Sequence, residues 1–478
     1  MKLIKLSFLY LALLCCNSAL WAQSQPNIIF ILADDLGSSE LGSYGNTFNE
    51  TPHLDRLAAG GMRFTQAYSA APICSPARVG FITGQYPART RITDFLGNEA
   101  PRYLDPAKYY TLNEALSDAG YHTGIIGKWH LDTKFSNPIG NPEQHGFDEV
   151  IGSETKYIAD GDYFYPYDKV ATFNTGKEGE YLTDRQCSEA SAFIERNKKS
   201  PFFLYLSFYS VHTRLDAPEA LVNKYRKKFD EKYGAGAAAK FYDDPANARH
   251  EGKHADNPYL AAMIESIDSG VGGIMETLKK NGLEKNTLVI FFSDNGGVAG
   301  FANNGVLRLG KSWLYEGGIR ENLIAHWPAA IQAGSVSDQA VCGIDFYPTF
   351  LEMAAAKPKA GHIVDGKSIL NVLKGEPWEG HEALFWHYPS ETGKWVPRMC
   401  TAVRMGHYKL IYFYADKRSE LYDLSKDPSE AHDLAAAQPA KVKQLKAVLE
   451  KWKKEVNAEE PNIHATPNKN KKAKQKKT

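Results

Sequence analysis

Asn27-Ile28-Ile29-Phe30-Ile31-Leu32-Ala33, running directly into Asp34-Asp35, is the stretch on which the fold turns. The run is short, rich in β-branched residues and shows no apolar–polar alternation, so it reads as a strand buried on both faces. Such strands belong to parallel sheets covered by helices. Phe202 to Tyr209 and Thr287 to Phe292 have the same character. The first gives way to His212 and the second to Asp294-Asn295, while Lys128 and His130 follow a strand expected from Tyr121 to Ile126. Open α/β sheets bind ligands outside the carboxyl ends of their strands, so four strand ends are expected to direct polar groups into one crevice.

Helix signals fall between these strands. Thr51 precedes Pro52 and the segment stops at Gly60-Gly61, the N-cap, first-turn and terminator pattern. Thr111 with Glu114 forms a capping box for a helix that ends at Gly120. After about Pro358 the pattern changes to short alternating strands, Thr401 to Met405 and Lys409 to Phe413, followed by an amphipathic helix from Ala440 to Val456. The expected class is α/β: a large, mostly parallel mixed sheet flanked by helices over residues 23–358, and a smaller α+β subdomain, with a short antiparallel sheet and a helix, over 359–460.

The chain has 478 residues, 43% hydrophobic and 23% charged, which suits a globular protein with a large core and excludes extensive disorder. Lys and Arg (56) balance Asp and Glu (56), so no global field draws the chain to nucleic acid or an anionic membrane, and anion binding must be local. Residues 1–22 place Lys2 and Lys5 before the apolar run Leu6 to Leu14, a layout expected of a cleaved secretory signal and too short for a membrane span. The protein is therefore expected to be exported, to a periplasm or the medium. Beyond Cys15 and Cys16 only Cys74, Cys187, Cys342 and Cys400 remain, too few and scattered for a disulfide framework. Residues 461–478 read as a Lys-rich solvated tail.

Cys74-Ser75-Pro76-Ala77-Arg78, continuing through Thr83-Gly84 to Pro87 and Arg89, resembles the maturation motif C-x-P-x-R of the type I formylglycine-dependent sulfatases, arylsulfatase-like members of the alkaline phosphatase superfamily. The similarity continues in order along the chain. Pro26 to Asp35 resembles the family's opening strand and acid pair, Gly127-Lys128-Trp129-His130-Leu131 its G-K-W-H-L block, and Pro201 to Leu206 with His212 its sulfate-facing strand and histidine. Ser293-Asp294-Asn295-Gly296-Gly297, Gly310-Lys311 with Leu314 to Arg320, Asp345 to Thr349 and Glu420 to Leu424 complete it. Leu309, Ser312 and Trp313 replace the small residues usual around the family's lysine.

The resemblance implies a sulfatase whose Cys74 is oxidised by a separate maturation enzyme to formylglycine, with Arg78, Lys128, His130, His212 and Lys311 as catalytic residues. One hydroxyl of the aldehyde hydrate attacks sulfur, and the alcohol leaves protonated by His212 or Lys311. His130 then takes a proton from the second hydroxyl and sulfate is expelled. The implied metal ligands are Asp34, Asp35, residue 74, Asp294 and Asn295. The four acid and amide side chains offer only oxygen, which suits one Ca2+ and not zinc. A lone Asp-Asp pair is more often a turn, and the metal reading rests on the pairs' shared position at strand ends.

The expected substrate is a sulfated carbohydrate, with no nucleic acid partner and no membrane span. A phosphodiesterase or phosphonate monoester hydrolase of the same superfamily, or an inactive glycan-binding relative, are the competing readings. Specificity is expected from Glu154 to Lys177, Arg214 to His254 and Trp386 to Arg398, which carry Tyr157, Tyr163, Tyr165, Arg214, His387, Trp395 and Arg398, suited to stacking on sugar and pairing with acidic groups.

Overall fold

No residue of the opening run is more than 4% exposed, because Asn27–Ala33 lies in the middle of a nine-stranded sheet with helices on both sides. The structure, a computed structural model, describes residues 25–97, 102–132, 139–153, 163–167, 170, 172–173, 175–243, 254–389, 398–461 and 463. The expected secretory signal, the Lys-rich run from Asn468, Tyr157 and Trp395 lie outside the described residues. No helix among the described residues is long and apolar enough to cross a membrane.

The strands are β1 (Asn27–Ala33), β2 (Met62–Tyr68), β3 (His122–Gly127), β4 (Glu149–Ile151), β5 (Phe202–Ser207), β6 (Thr287–Ser293), β7 (Arg320–His326), β8 (Ser335–Ser337), β9 (Val341–Cys342), β10 (Leu384–Tyr388), β11 (Cys400–Met405), β12 (Tyr408–Phe413) and β13 (Ser419–Asp423). The large sheet runs β4-β3-β5-β1-β6-β7-β2-β8, with β9 also on β2. From β4 to β6 every pairing is parallel, which brings the carboxyl ends of β3, β5, β1 and β6 to one edge. Strand β7 is antiparallel to both β6 and β2, which makes the sheet mixed as expected, at a strand that the sequence expectation did not place. The second sheet, β10-β11-β12-β13, is wholly antiparallel.

Alternation within β1 explains its unbroken apolarity. Ile29, Ile31 and Ala33 enter the core beneath α4 (Leu182–Asn197), α5 (Glu219–Tyr233) and α6 (Pro258–Lys280). Ile28, Phe30 and Leu32 enter the core beneath α2 (Cys74–Thr83), α3 (Leu112–Asp118) and α7 (Phe346–Met353). The capping box of Thr111 and Glu114 is present. The helix α1 (Pro52–Ala59) starts after Thr51, but the Thr51 hydroxyl accepts from Gly42 N at 2.9 Å and donates to Asp55 Oδ1 at 3.2 Å, so it does not cap the helix backbone. Cys74, Cys187, Cys342 and Cys400 are all buried and unbridged.

The small sheet packs on α8 (Pro439–Glu455) through Leu445, Leu449 and Trp452, with Phe385 stacked on Trp452 at 4.7 Å. It is joined to the large sheet by polar groups removed from water. Trp386 Nε1 donates to Ser69 O at 2.8 Å, and the Tyr68 hydroxyl donates to Glu316 Oε2 at 2.7 Å. Lys409 on β12 reaches Glu316 at 2.8 Å and Glu430 at 2.9 Å, with all three side chains 0% exposed. Burial opposes charge on both acids. Lys409, Arg320 and Arg404 outweigh it at Glu316, held below its ordinary value, while Glu430 is pushed up to about 7.

Removing one partner of such a cluster leaves an uncompensated buried charge, at a cost of about 3–5 kcal/mol. Lys409→Met is therefore expected to lower the unfolding free energy, read by urea titration, by an amount in that range. A loss below about 1 kcal/mol would mean that the two acids do not depend on this ammonium.

Candidate active site

Cys74 opens α2 as its first helical residue, and every residue of that helix is buried. Its Sγ lies 3.5 Å from Asp34 Oδ1 and 3.9 Å from Asp35 Oδ1, so the thiol faces the carboxyl end of β1. The neighbouring strand ends are tied to that point by main-chain bonds. Asp34 N donates to Ser210 O at 3.0 Å, Val211 N to Asp34 O at 2.8 Å, Asp294 N to Ala33 O at 3.1 Å and Lys128 N to Ser207 O at 2.8 Å. Gly127 makes the last turn possible, since its φ is 96° and a Cβ there would lie 2.0 Å from Ser207 O. The structure thus brings Asp34, Asp35, Cys74, Arg78, Lys128, His130, His212, Asp294, Asn295 and Lys311 to one edge of the sheet.

The carboxylates are held by fixed cations. Lys128 Nζ meets Asp34 Oδ2 at 2.5 Å, Lys311 Nζ meets Asp35 Oδ2 at 2.7 Å, and Arg78 Nη2 meets Asp294 Oδ2 at 2.8 Å. Burial raises Asp35, but Lys311, His212 and Lys128 prevail and hold it well below the usual carboxylate range. Burial and Asp34 push Asp294 up to about 6 against the pull of Arg78 and Lys128. Arg78 is fully engaged: Nε and Nη2 on Asp294, Nη1 on Lys128 O at 2.9 Å and on Ser207 Oγ at 2.6 Å. Its geometry is that of a residue positioning the acids and the Lys128 loop.

The acid cluster has the chemistry of a cation site. One ligand atom from each of Asp34, Asp35 and Cys74 lies within 4.8 Å of the others. Asn295 Nδ2 donates to Asp35 Oδ1 at 2.8 Å and to Gly296 O at 3.0 Å, which leaves its Oδ1 buried without a hydrogen-bond donor among the described residues. An orphaned amide oxygen, a carboxyl raised by burial and by a neighbouring acid, and an all-oxygen side-chain set fit a hard divalent ion.

The two histidines differ. His130, with φ 58°, sets Nε2 3.0 Å from Leu96 O, so Nε2 carries the hydrogen and Nδ1 is the accepting nitrogen. Burial, Lys128 and Arg78 drive its pKa well below the usual value, keeping the ring neutral. His212 directs Nδ1 at Thr213 O at 2.5 Å and Nε2 at Asp35 Oδ2 at 3.7 Å. Burial and Lys311 push it down to about 3. Burial likewise lifts the Cys74 thiol far above the thiolate range, with Lys128 and Lys311 only partly opposing. His212 and Lys311 are the members that reach water, at 12% and 15% exposure against 2% or less for the others.

Several supporting groups were not foreseen from the sequence. Ser207 receives Arg78, and Ser75 Oγ accepts from Leu96 N at 3.0 Å, which fixes the carbonyl that orients His130. Tyr163, expected to face substrate, is 1% exposed and donates to Tyr209 O and His212 O, so it braces the His212 turn. His387, also expected at the substrate, is buried, with Nε2 2.7 Å from Glu459 O. Its place on β10 sets it against the segment that follows α8. Arg214 is exposed two residues past His212.

The sulfatase family model matches residues 26–356, and the model for the C-terminal region of N-sulphoglucosamine sulphohydrolase matches residues 308–459. The chain is 32% identical to a sulfatase of Formosa agariphila, over 88% of this chain and 86% of that protein. It is 32% identical to the N-acetylgalactosamine-6-sulfatase of Rattus norvegicus, over 81% of this chain and 71% of that one. Among solved structures it resembles Ps i-CgsB in complex with k-i-k-neocarrahexaose, with a TM-score of 0.77, 29% identity, and 95% and 97% of the two chains covered.

Proposed function

The chain belongs to the sulfatase family of sulfuric ester hydrolases, and we propose that it removes sulfate from a sulfated carbohydrate using a formylglycine made from Cys74 and one calcium ion held by Asp34, Asp35, residue 74, Asp294 and Asn295. The observation that carries this reading is a single buried cluster in which Cys74 faces two carboxylates, ringed by Lys128, Lys311 and two histidines. The carbohydrate class is supported by the similarity to an N-acetylgalactosamine-6-sulfatase and to a protein solved with a neocarrahexaose. Export by residues 1–22 belongs to the same proposal.

An unmodified thiol serves this chemistry badly, since burial keeps it protonated. Oxidised to the aldehyde and hydrated, residue 74 would supply one hydroxyl to attack sulfur and a second to expel sulfate. A bound calcium would supply Lewis acidity toward the oxygens of residue 74 and sulfate. Because α2 is wholly buried, the maturation enzyme must read Cys74 to Arg78 before the chain closes.

The chain's own groups divide the remaining work. Arg78 holds Asp294 and the Lys128 loop. Lys128 places a positive charge beside Asp34, where it meets the sulfate oxygens. His130, neutral with Nδ1 as acceptor, is the base for the second hydroxyl. Lys311 and His212 occupy the water-facing side, where the alcohol must leave. Lys311 remains an ammonium, its pKa raised by Asp35 and Cys74 against burial, whereas His212 is neutral. The departing oxygen therefore takes its proton from Lys311, and His212 orients the ester.

Active protein is expected to carry an aldehyde at residue 74, read by mass spectrometry of the intact tryptic peptide, and Cys74→Ala should abolish turnover while the melting curve stays. Turnover by protein carrying only unmodified cysteine would contradict the mechanism. Sugar alkoxides need the proton far more than a nitrophenolate does. Lys311→Met should thus cost roughly 10² to 10⁴ in turnover on a sugar sulfate and much less on nitrophenyl sulfate. His212→Ala should slow both substrates alike. The reverse pattern would give the acid role to His212.

A further inference from the structure

Asn304 is buried, and its side-chain amide bonds to the main chain of two loops of the centre. Gly297 N donates to Asn304 Oδ1 at 3.2 Å, while Asn304 Nδ2 donates to Gly297 O at 3.0 Å and to Leu309 O at 2.8 Å. The amide fits in one orientation only, since a flip would set a donor on Gly297 N and an acceptor against two carbonyls. Gly297 ends the block that holds Asp294 and Asn295, and Leu309 opens the turn that holds Lys311. The main chain here ties in a third loop, shortly after Asp34-Asp35: Ser38 Oγ donates to Asn304 O and Ser39 N to Asn303 O, each at 3.1 Å.

The Lys311 turn leans on that bridge. Lys311 N donates to Gly297 O at 3.1 Å, the same carbonyl that Asn304 Nδ2 holds. Gly310 packs so closely that a Cβ would lie 2.1 Å from Gly297 O and 2.7 Å from Asn304 Nδ2. On either side, Leu309 and Ser312 have left-handed backbone, with φ 58° and 69°, which residues other than glycine keep only where their surroundings enforce it. At Ser312 the enforcing bond runs from its N to Pro72 O at 2.7 Å, and at Leu309 it is the one from Asn304 to its carbonyl. The flexible four-carbon stem of a lysine sets no direction by itself, so the Lys311 ammonium is aimed by the main chain that carries it.

We infer that Asn304 is a positioning residue for desulfation: by clamping Leu309 to Gly297 it holds the Lys311 turn against the loop after β6, so that the ammonium stands where the ester oxygen departs. The inference rests on the proposed role of Lys311 as proton donor. Without the amide, Gly297 N and Leu309 O lose the hydrogen bonds it makes, and the left-handed turn loses the contact that enforces it. A reacting group misplaced by about 1 Å can cost on the order of 10²-fold in rate.

Turnover of the mature enzyme at saturating calcium tests this with Asn304→Ala, Lys311→Met and the two combined, each on a sugar sulfate and on nitrophenyl sulfate. Asn304→Ala should share the substrate pattern of Lys311→Met, losing about 10- to 100-fold on the sugar sulfate and under about threefold on nitrophenyl sulfate. The combined variant should be within about threefold of Lys311→Met, because a clamp that acts through Lys311 then has nothing left to position. Asn304→Ser, whose hydroxyl can replace one bond of the amide, should fall between the wild type and Asn304→Ala, and it takes the place of the alanine variant if that does not fold. Losses that multiply in the combined variant, or a substrate pattern unlike that of Lys311→Met, would overturn the inference. If Lys311→Met itself slowed both substrates alike, its acid role would fall, and the clamp would stand only if the combined variant still showed no added loss.

Discussion

Three carboxylates, Asp34, Asp35 and Asp294, are buried together at the ends of two adjacent strands, and the surrounding structure is organised by the need to neutralise them. Isolated buried charges cost far more than a domain's net stability, so they persist only when paired. Here Arg78, Lys128 and Lys311 supply one cation per acid. A divalent ion added to this balanced set leaves two positive charges uncompensated. The centre with its ion is then an anion receptor set in low dielectric, where Coulomb attraction is stronger than in water. Burial, aided by the same positive surroundings, keeps His130 and His212 neutral.

The parallel half of the sheet is what makes that arrangement possible. Every strand from β4 to β6 runs in one direction, so side chains separated by up to some 280 residues of sequence reach one edge without any strand reversing. The inverted strand β7 has a different task. Glu316, in the single turn before it, is pinned by Tyr68, Lys409 and Glu430, and that pin anchors the chain immediately after the Lys311–Trp313 turn. The small sheet thus supports the water-facing side of the centre from behind.

Much of this was legible in the residues. A strand buried on both faces shows itself as an unbroken apolar run, and β1, β5 and β6 begin where expected because their flanking residues are abruptly polar. The polar groups past those ends gave the site. The inversion at β7 was not legible, since Arg320–His326 has the same composition whichever way it runs, and its direction is set by the turn through Gly317-Gly318. Tyr163 and His387 were misplaced for a related reason. Aromatic and imidazole side chains look alike in sequence whether they face a ligand or brace a turn, and only the partners, His212 O and Glu459 O, distinguish the two. Trp313 was noted as a departure around Lys311, but its stacking on Arg398 joins segments some 85 residues apart.

If charge balance at the strand ends is the organising constraint, calcium and sulfate must bind in mutual support, because each supplies the charge that the other leaves uncompensated. The decisive measurement is the affinity of the mature protein for inorganic sulfate with saturating calcium and after complete chelation. The account predicts that calcium tightens sulfate by about tenfold or more, and that sulfate tightens calcium by the same factor. Equal sulfate affinity in the two states would contradict it.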